Sequence, residues 1–242
     1  MRAISSMATR HVLTDLAEAA VASGLPCLDL ESVGGVDVAR RVSEGEQFEL
    51  VFLALDALRR LVDDGLVIAE SVTPLMLSQV AVAVPSTSNA PAAHERTRAF
   101  PDAAGLRAAL QHAARIGYST GPSGVALMKM IDDWGLGEEL KQRMVQARPG
   151  IPVAHSLAQG DVELGFQQLS ELVGQPGIRV LGVLPPDCAI DTVFAGAVAT
   201  TSEDRAKALE ILGFFSSRAA IPIMAAHSFV PAGSQRDAPS SL

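Results

Sequence analysis

Aromatic residues are scarce in this chain. One Trp, one Tyr and eight Phe make up 4% of 242 residues, so its cores must be built from Ala, Val, Leu and Ile. An excess of basic charge is missing too. Lys and Arg number 19 against 27 Asp and Glu, for a formal net charge of −8, which excludes a general nucleic-acid surface. It leaves room for a small anionic ligand, because a local site can be positive on an acidic protein. Only two cysteines occur, Cys27 and Cys188, far apart and without CxxC or metal-ligand spacing. They read as two buried thiols, with a pairing between them left open. No run of about 18 apolar residues is present, so no membrane span is expected. The start, Met1-Arg2-Ala3-Ile4, enters a strand-like segment without a signal-peptide pattern. Localisation is therefore cytoplasmic as the sequence is written, or periplasmic if an export signal was removed. The histidines lack metal spacing, and there is no G-x-S-x-G, Walker loop or zinc signature. Neither a metal nor a cofactor is expected.

Hydrophobic residues make up 48%, ample for buried cores, and the length suits two lobes of about 100–130 residues each. Short apolar runs alternate with helical periods, the pattern of βαβ units. A strand ending near Ser5-Ser6 precedes a helix from His11 to Ser23. Cys27 to Val33 alternates as a strand, and Gly34-Gly35 opens a helix through Val42. Leu50 to Ala54 is a third strand, with Asp56 as cap for a helix from Ala57 to Asp64. Val80 to Val84 reads as a buried strand, and Pro85 to Ala93 as a polar loop.

A second series follows. It has a helix from Leu106 to Ala114, a strand from Ile116 to Tyr118, and the turn Ser119 to Gly124 leading into a helix from Val125 to Trp134. Glu138 to Ala147 is expected to be helical, Leu164 to Phe166 a strand, and Gln167 to Val173 a helix. Strands at Val180 to Leu184 and Thr192 to Thr200 come next. Ser202 is expected to cap a C-terminal helical region, interrupted at Ser216-Ser217 and reaching about Ala226. The tail after Gly233 is expected to fray.

The recurring feature is a strand that ends in small residues opening a helix. It occurs at Ser5 to Thr9, at Ser32 to Gly35, at Ala54 to Asp56 and at Ser119 to Gly124. In open α/β sheets ligands bind at this carboxyl edge, and each helix start offers unpaired N–H groups and a positive dipole end. A small anion is thus the expected ligand. Arg10 could grip a carboxylate with two parallel hydrogen bonds. Each residue also has a structural reading. Arg10 could be a solvated charge, Ser5, Ser6 and Thr9 could cap the helix, and Gln167 and Gln168 could lie on the surface.

Several segments carry a resemblance over nearly the whole length. They are Ile4 to Leu16 (ISSMATRHVLTDL), Phe48 to Leu61 (FELVFLALDALRRL), Gly117 to Gly124 (GYSTGPSG), Gly160 to Leu169 (GDVELGFQQL) and Leu209 to Ala232. In this order and spacing they resemble the molybdate-binding group of the type II periplasmic binding proteins, the substrate-binding components of ABC transporters. The resemblance implies a two-lobed α/β fold with a ligand cleft between the lobes. Lobe one would comprise residues 1–80 and 200–242, lobe two 85–185, with hinge-crossing strands near 80–84 and 190–199. The implied ligand residues are Ser5, Ser6, Met7, Ala8, Thr9, Arg10, Ala54, Leu55, Ser119, Thr120, Ser123, Gly124, Gln167 and Gln168.

Departures from the family pattern redirect the ligand class. Ala8 and Ala54 stand where the molybdate binders carry serine hydroxyls, and Gln168 where a tyrosine is common. A polycarboxylate or other oxyanion is therefore expected in place of molybdate. The chain also resembles aconitate isomerase, an enzyme on this fold that moves a proton within a tricarboxylate without a cofactor. That alternative needs anion clamps and one positioned acid or base, for which Ser5, Ser6, Thr9 and His11 are the candidates. A cytoplasmic ligand-sensing module is a third reading. The expected partners are a small anion and, for a binding protein, an ABC-transporter membrane component; the expected state is a monomer.

Overall fold

A computed structural model describes residues 1–89, 97–148 and 150–233. Part of the polar loop after Pro85, with His94, and the tail beyond Gly233 lie outside the described residues. The chain forms two units, residues 1–77 with 193–242, and residues 78–192. Among the described residues no single helix is long and apolar enough to cross a membrane.

Unit 1 opens with β1 (Arg2–Ser6), a 3-10 turn (Met7–Thr9) and α1 (Arg10–Ala22). Next come β2 (Asp29–Val33), α2 (Gly35–Ser43), β3 (Leu50–Ala54) and α3 (Leu55–Asp63). β1 pairs in parallel with β2 on one side and β3 on the other. Side chains alternate between faces along a strand, and β3 shows it. Leu50, Phe52 and Ala54 enter the cluster containing Leu13, Leu16, Ile211 and Phe215, while Val51 and Leu53 join Val38, Leu58 and Leu61. The strand is apolar throughout because both its faces are covered.

β4 (Thr73–Pro85) is far longer than the five residues expected, and it runs from unit 1 into unit 2. Within unit 2 follow α4 (Ala103–His112), β5 (Ile116–Tyr118), α5 (Pro122–Asp133), α6 (Gly137–Leu140) and β6 (Met144–Gln146). α7 (Val153–Ala158), β7 (Leu164–Gln168), α8 (Leu169–Leu172) and β8 (Ile178–Val183) complete it. β5 lies parallel between β6 and β7, and β7 and β8 pair antiparallel with β4. Along β4, Val80, Val82 and Val84 pack with Leu106, Leu127 and Ile131. Ala81 and Ala83 pack on the other face with Val153, Leu157 and Leu172.

β9 (Asp191–Val198) returns to unit 1, where it pairs antiparallel with β3. α9 (Arg205–Phe215), a 3-10 turn, α10 (Ile221–Ala226) and β10 (Val230–Pro231) follow. Asp15 of α1 lies 2.7 Å from the His227 ring at the end of α10, which ties the first helix to the last.

Several sequence expectations are corrected. Glu138 to Ala147 is not one helix, because Met144 to Gln146 pairs with β5 as a strand; lateral hydrogen bonding overrides a local helical pattern. Asp56 does not cap α3. It sits in the first turn beside Arg59, and Ala54 holds the cap position. Ser202 does not cap α9 either. Asp204 does, its side chain accepting from the Lys207 N–H at 3.2 Å, while the Ser202 hydroxyl donates to Glu49. Gln167 and Gln168 are buried at the end of β7 instead of lying on a surface helix. Cys27 is an exposed free thiol and Cys188 a half-buried one, so Cys27 is not the buried thiol expected.

Candidate functional site

In unit 1 the register places Ser5 beside Ser32 of β2 and Phe52 of β3. The three parallel strands therefore end at one edge, where α1, α2 and α3 begin. Ser5, Ser6 and Thr9 are buried there. Ser5 Oγ lies 2.8 Å from Ser32 Oγ. Thr9 Oγ1 donates to the Ser6 carbonyl at 3.1 Å and lies 3.5 Å from Ser6 Oγ. Thr9 occupies the cap position of α1, but its side chain makes no cap hydrogen bond; the hydroxyl closes the turn instead. A Cβ built on Gly35 would lie 3.8 Å from the Ser6 Cβ, so the start of α2 abuts this turn.

Charge separates these helix starts. The first turns of α2 and α3 carry Asp37 and Asp56, whose negative charge near a helix start disfavours a second anion there. The first turn of α1 contains no acidic residue and begins with the exposed Arg10. In the same unit Arg2, Arg40, Arg41 and Arg59 each meet a carboxylate. The Arg10 guanidinium has no hydrogen-bond or ion-pair partner among the described residues. An anion is favoured at α1 by the helix dipole and by a guanidinium that nothing else neutralises. His11 is exposed at the same helix start. Met7 and Ala8 lie in the 3-10 turn before α1, and Ala54 and Leu55 at the end of β3 and the start of α3.

In unit 2 the turn after β5 is built around Ser119 and Ser123, both buried, with Oγ atoms 2.8 Å apart. Pro122 starts α5, where its missing N–H costs nothing. Gly124 packs directly on the Ser119 carbonyl: an added Cβ would sit 1.8 Å from that oxygen. The first turn of α5 is also free of acid. Thr120 lies at the same turn.

β7 ends beside β5, Tyr118 pairing with Phe166, so Gln167 and Gln168 follow at the carboxyl edge and point to opposite faces. Gln167 Oε1 accepts from the Val153 N–H at 2.8 Å. Gln168 Nε2 donates to Thr192 Oγ1 at 2.7 Å, and its Oε1 is buried without a partner. Ser78, Thr192 and Glu171 were not among the expected site residues, and Ser32 was expected only as part of the Ser32 to Gly35 turn. Each meets its neighbours through strand pairing or helix docking, which no spacing in the chain announces. The structure thus brings together Ser5, Ser6, Thr9 and Arg10 in unit 1, and Ser119, Ser123 and Gly124 in unit 2.

Among the described residues, Glu171 is the one carboxylic acid with a strongly raised pKa. Burial pushes its carboxyl up to about 7, against a smaller opposing effect of a hydrogen bond with Gln167. A carboxyl raised above its unfolded value is neutral in the folded state at low pH and loses stability as pH climbs from about 4.5 to about 7. The residue as a whole is partly exposed, so a discounted cost of about 1–2 kcal/mol applies above neutrality. Glu171→Gln is expected to raise the thermal midpoint at pH 8 and to change it little at pH 4.5. Equal effects at both pH values would contradict the buried-acid reading.

Comparison with known proteins places this architecture. A family model of bacterial extracellular solute-binding proteins matches residues 1–230. Aconitate isomerase from Pseudomonas sp is 31% identical over 186 residues, covering 75% of this chain and 66% of that protein. The match thus spans just under two thirds of that relative's length. Among solved structures, the sulfate-binding protein SubI from Mycobacterium tuberculosis superposes with a TM-score of 0.74 at 17% identity, covering 96% of this chain and 87% of that one. The Azotobacter vinelandii periplasmic molybdate-binding protein gives 0.73 at 19% identity, covering 95% and 98%. At such identities the structures show a shared fold, the α/β fold of the periplasmic binding proteins.

Proposed function

Because the chain belongs to the bacterial extracellular solute-binding protein family, we propose that it captures a small carboxylate-bearing anion. The Ser5 to Arg10 turn of unit 1 supplies donors for it, and the Ser119 to Gly124 turn is a second donor-bearing turn within unit 2. The observation that carries this reading is the start of α1, where buried hydroxyls, an acid-free first turn and an unneutralised Arg10 coincide. A planar guanidinium matches a carboxylate in two parallel bonds. Ala8 and Ala54 offer no hydroxyl to a tetrahedral oxyanion, and each missing donor costs a desolvated anion about 1–3 kcal/mol. Molybdate is accordingly a poor ligand in this reading. The family supports a place outside the cytoplasm and delivery of the ligand to an ABC-transporter membrane component.

A second reading is favoured by one finding, the 31% identity to aconitate isomerase. A proton would leave one carbon of a bound tricarboxylate and return to another, with no redox change. Ser5, Ser6, Thr9 and His11 are the candidate acid and base groups.

Calorimetric titration with molybdate, sulfate, citrate and both aconitate isomers tests the ligand class. Carboxylates are expected to bind at least tenfold more tightly than molybdate, a difference of about 1.4 kcal/mol. Submicromolar molybdate with inert carboxylates overturns the assignment. Incubation of aconitate in deuterated water separates the two readings. Deuterium uptake or isomerisation beyond a protein-free control establishes the isomerase, and unchanged aconitate removes it.

A further inference from the structure

We infer that Gln168 and Ser78 in unit 2 hold the alcohol hydroxyl of a small hydroxy acid. The inference rests on the carboxylate reading above and narrows it to hydroxy acids. Gln168 is 2% exposed, Ser78 on β4 is 0% exposed and Thr192 on β9 is 8% exposed. Gln168 pairs with Val80 across β4 and β7. Ser78 precedes Val80 by two residues and so shares its face, diagonal to Gln168. Thr192 Oγ1 accepts the Gln168 amide N–H at 2.7 Å, fixing one end of the amide. The other end, Oε1, and the Ser78 hydroxyl are both buried without a partner among the described residues.

Folded proteins leave very few such groups unsatisfied, and each one departing from that rule calls for a cause. Two neighbouring orphans on one face narrow what can satisfy them. The amide oxygen only accepts, while the serine hydroxyl donates and accepts. An alcohol can donate its proton to Gln168 Oε1 and accept from Ser78 Oγ at once. Sulfate, molybdate and an ionised carboxylate have no proton to donate, so the amide oxygen repels them. The pair therefore discriminates by chemistry that a helix start, which favours any anion, does not supply. A reversed amide would present Nε2 and favour an acceptor instead, and the same experiment reads that outcome.

The test compares matched acids with and without the hydroxyl. Citrate is titrated against propane-1,2,3-tricarboxylate, and malate against succinate, using the intact chain and calorimetry. At least one hydroxylated acid is expected to bind roughly tenfold or more tightly than its deoxy partner. Ser78→Ala and Gln168→Met are expected to bring that ratio towards one, with thermal melts recorded to confirm folding. The wild-type comparison needs no variant and stands even if one fails to fold. Deoxy acids binding as tightly as their hydroxylated partners would overturn the inference while leaving the carboxylate reading intact; a resident water or a reversed amide gives this result. A preference that survives both substitutions overturns the assignment to Gln168 and Ser78. Absence of binding by every carboxylate, aconitate included, overturns the parent reading and this one together.

Discussion

Gly124→Ala is expected to weaken ligand binding at unit 2 about a hundredfold and to lower its stability by about 3 kcal/mol, at the upper end of overpacking costs. The added Cβ would lie 1.8 Å from the Ser119 carbonyl oxygen and 2.8 Å from its carbon. Both atoms are backbone, so no rotamer change relieves the clash, and the turn itself must move. Displacing Ser119 by about 1 Å separates its hydroxyl from that of Ser123, and misplacement of that size costs about a hundredfold in a positioned site. For a chain of this size a loss of 3 kcal/mol corresponds to a fall of roughly 6–12 °C in melting temperature. Gly121→Ala is the control. Its nearest neighbour would be the Ser119 hydroxyl at 4.0 Å, so melting and affinity should stay near wild type. Thermal melts and titration of both variants decide the matter. Equal behaviour of the two would show that the close approach at Gly124 does not hold the turn.

Arg10→Ala is expected to weaken carboxylate binding ten- to a hundredfold and to leave the melting temperature of the unliganded protein within about 2 °C. The first figure follows from a charge-assisted hydrogen bond, worth about 1.5–3 kcal/mol. The second follows from the side chain being exposed and without a protein partner among the described residues, since such substitutions usually fall within about 0.5 kcal/mol. Arg10→Lys should recover only part of the affinity, because an ammonium is a point charge and cannot match a carboxylate with two parallel donors. Raising the salt concentration should weaken the wild-type complex more than the Arg10→Ala complex. Unchanged affinity in Arg10→Ala would remove Arg10 from the site and return it to the role of a solvated charge.

The sequence by itself determined the parts that depend on local pattern. The continuous apolar run Leu50–Ala54 is β3, residue for residue, and Ile116–Tyr118 is β5. Small residues at Ser5-Ser6 and Ser119 to Gly124 marked true strand-to-helix turns. The order and spacing of five short segments sufficed for the family. These signals are short-range: alternation, glycine, proline and hydroxyl residues act on the backbone within a few positions.

What needed the tertiary structure was every pairing across long sequence separations. Met144–Gln146 is a strand only because β5 lies beside it, and Ser202 leaves the cap of α9 for Glu49, 153 residues away. Gln168 meets Thr192 across the sheet, and Ser78, two residues before Val80, shares a face with Gln168 through the register of β4 and β7. The raised Glu171 carboxyl likewise comes from burial around α8. A one-residue slip of β4 would turn Ser78 to the opposite face and leave the local sequence signals untouched. Register is set by packing over whole strands, so the placement of these polar groups was decided by the fold and not by the spacing of residues along the chain.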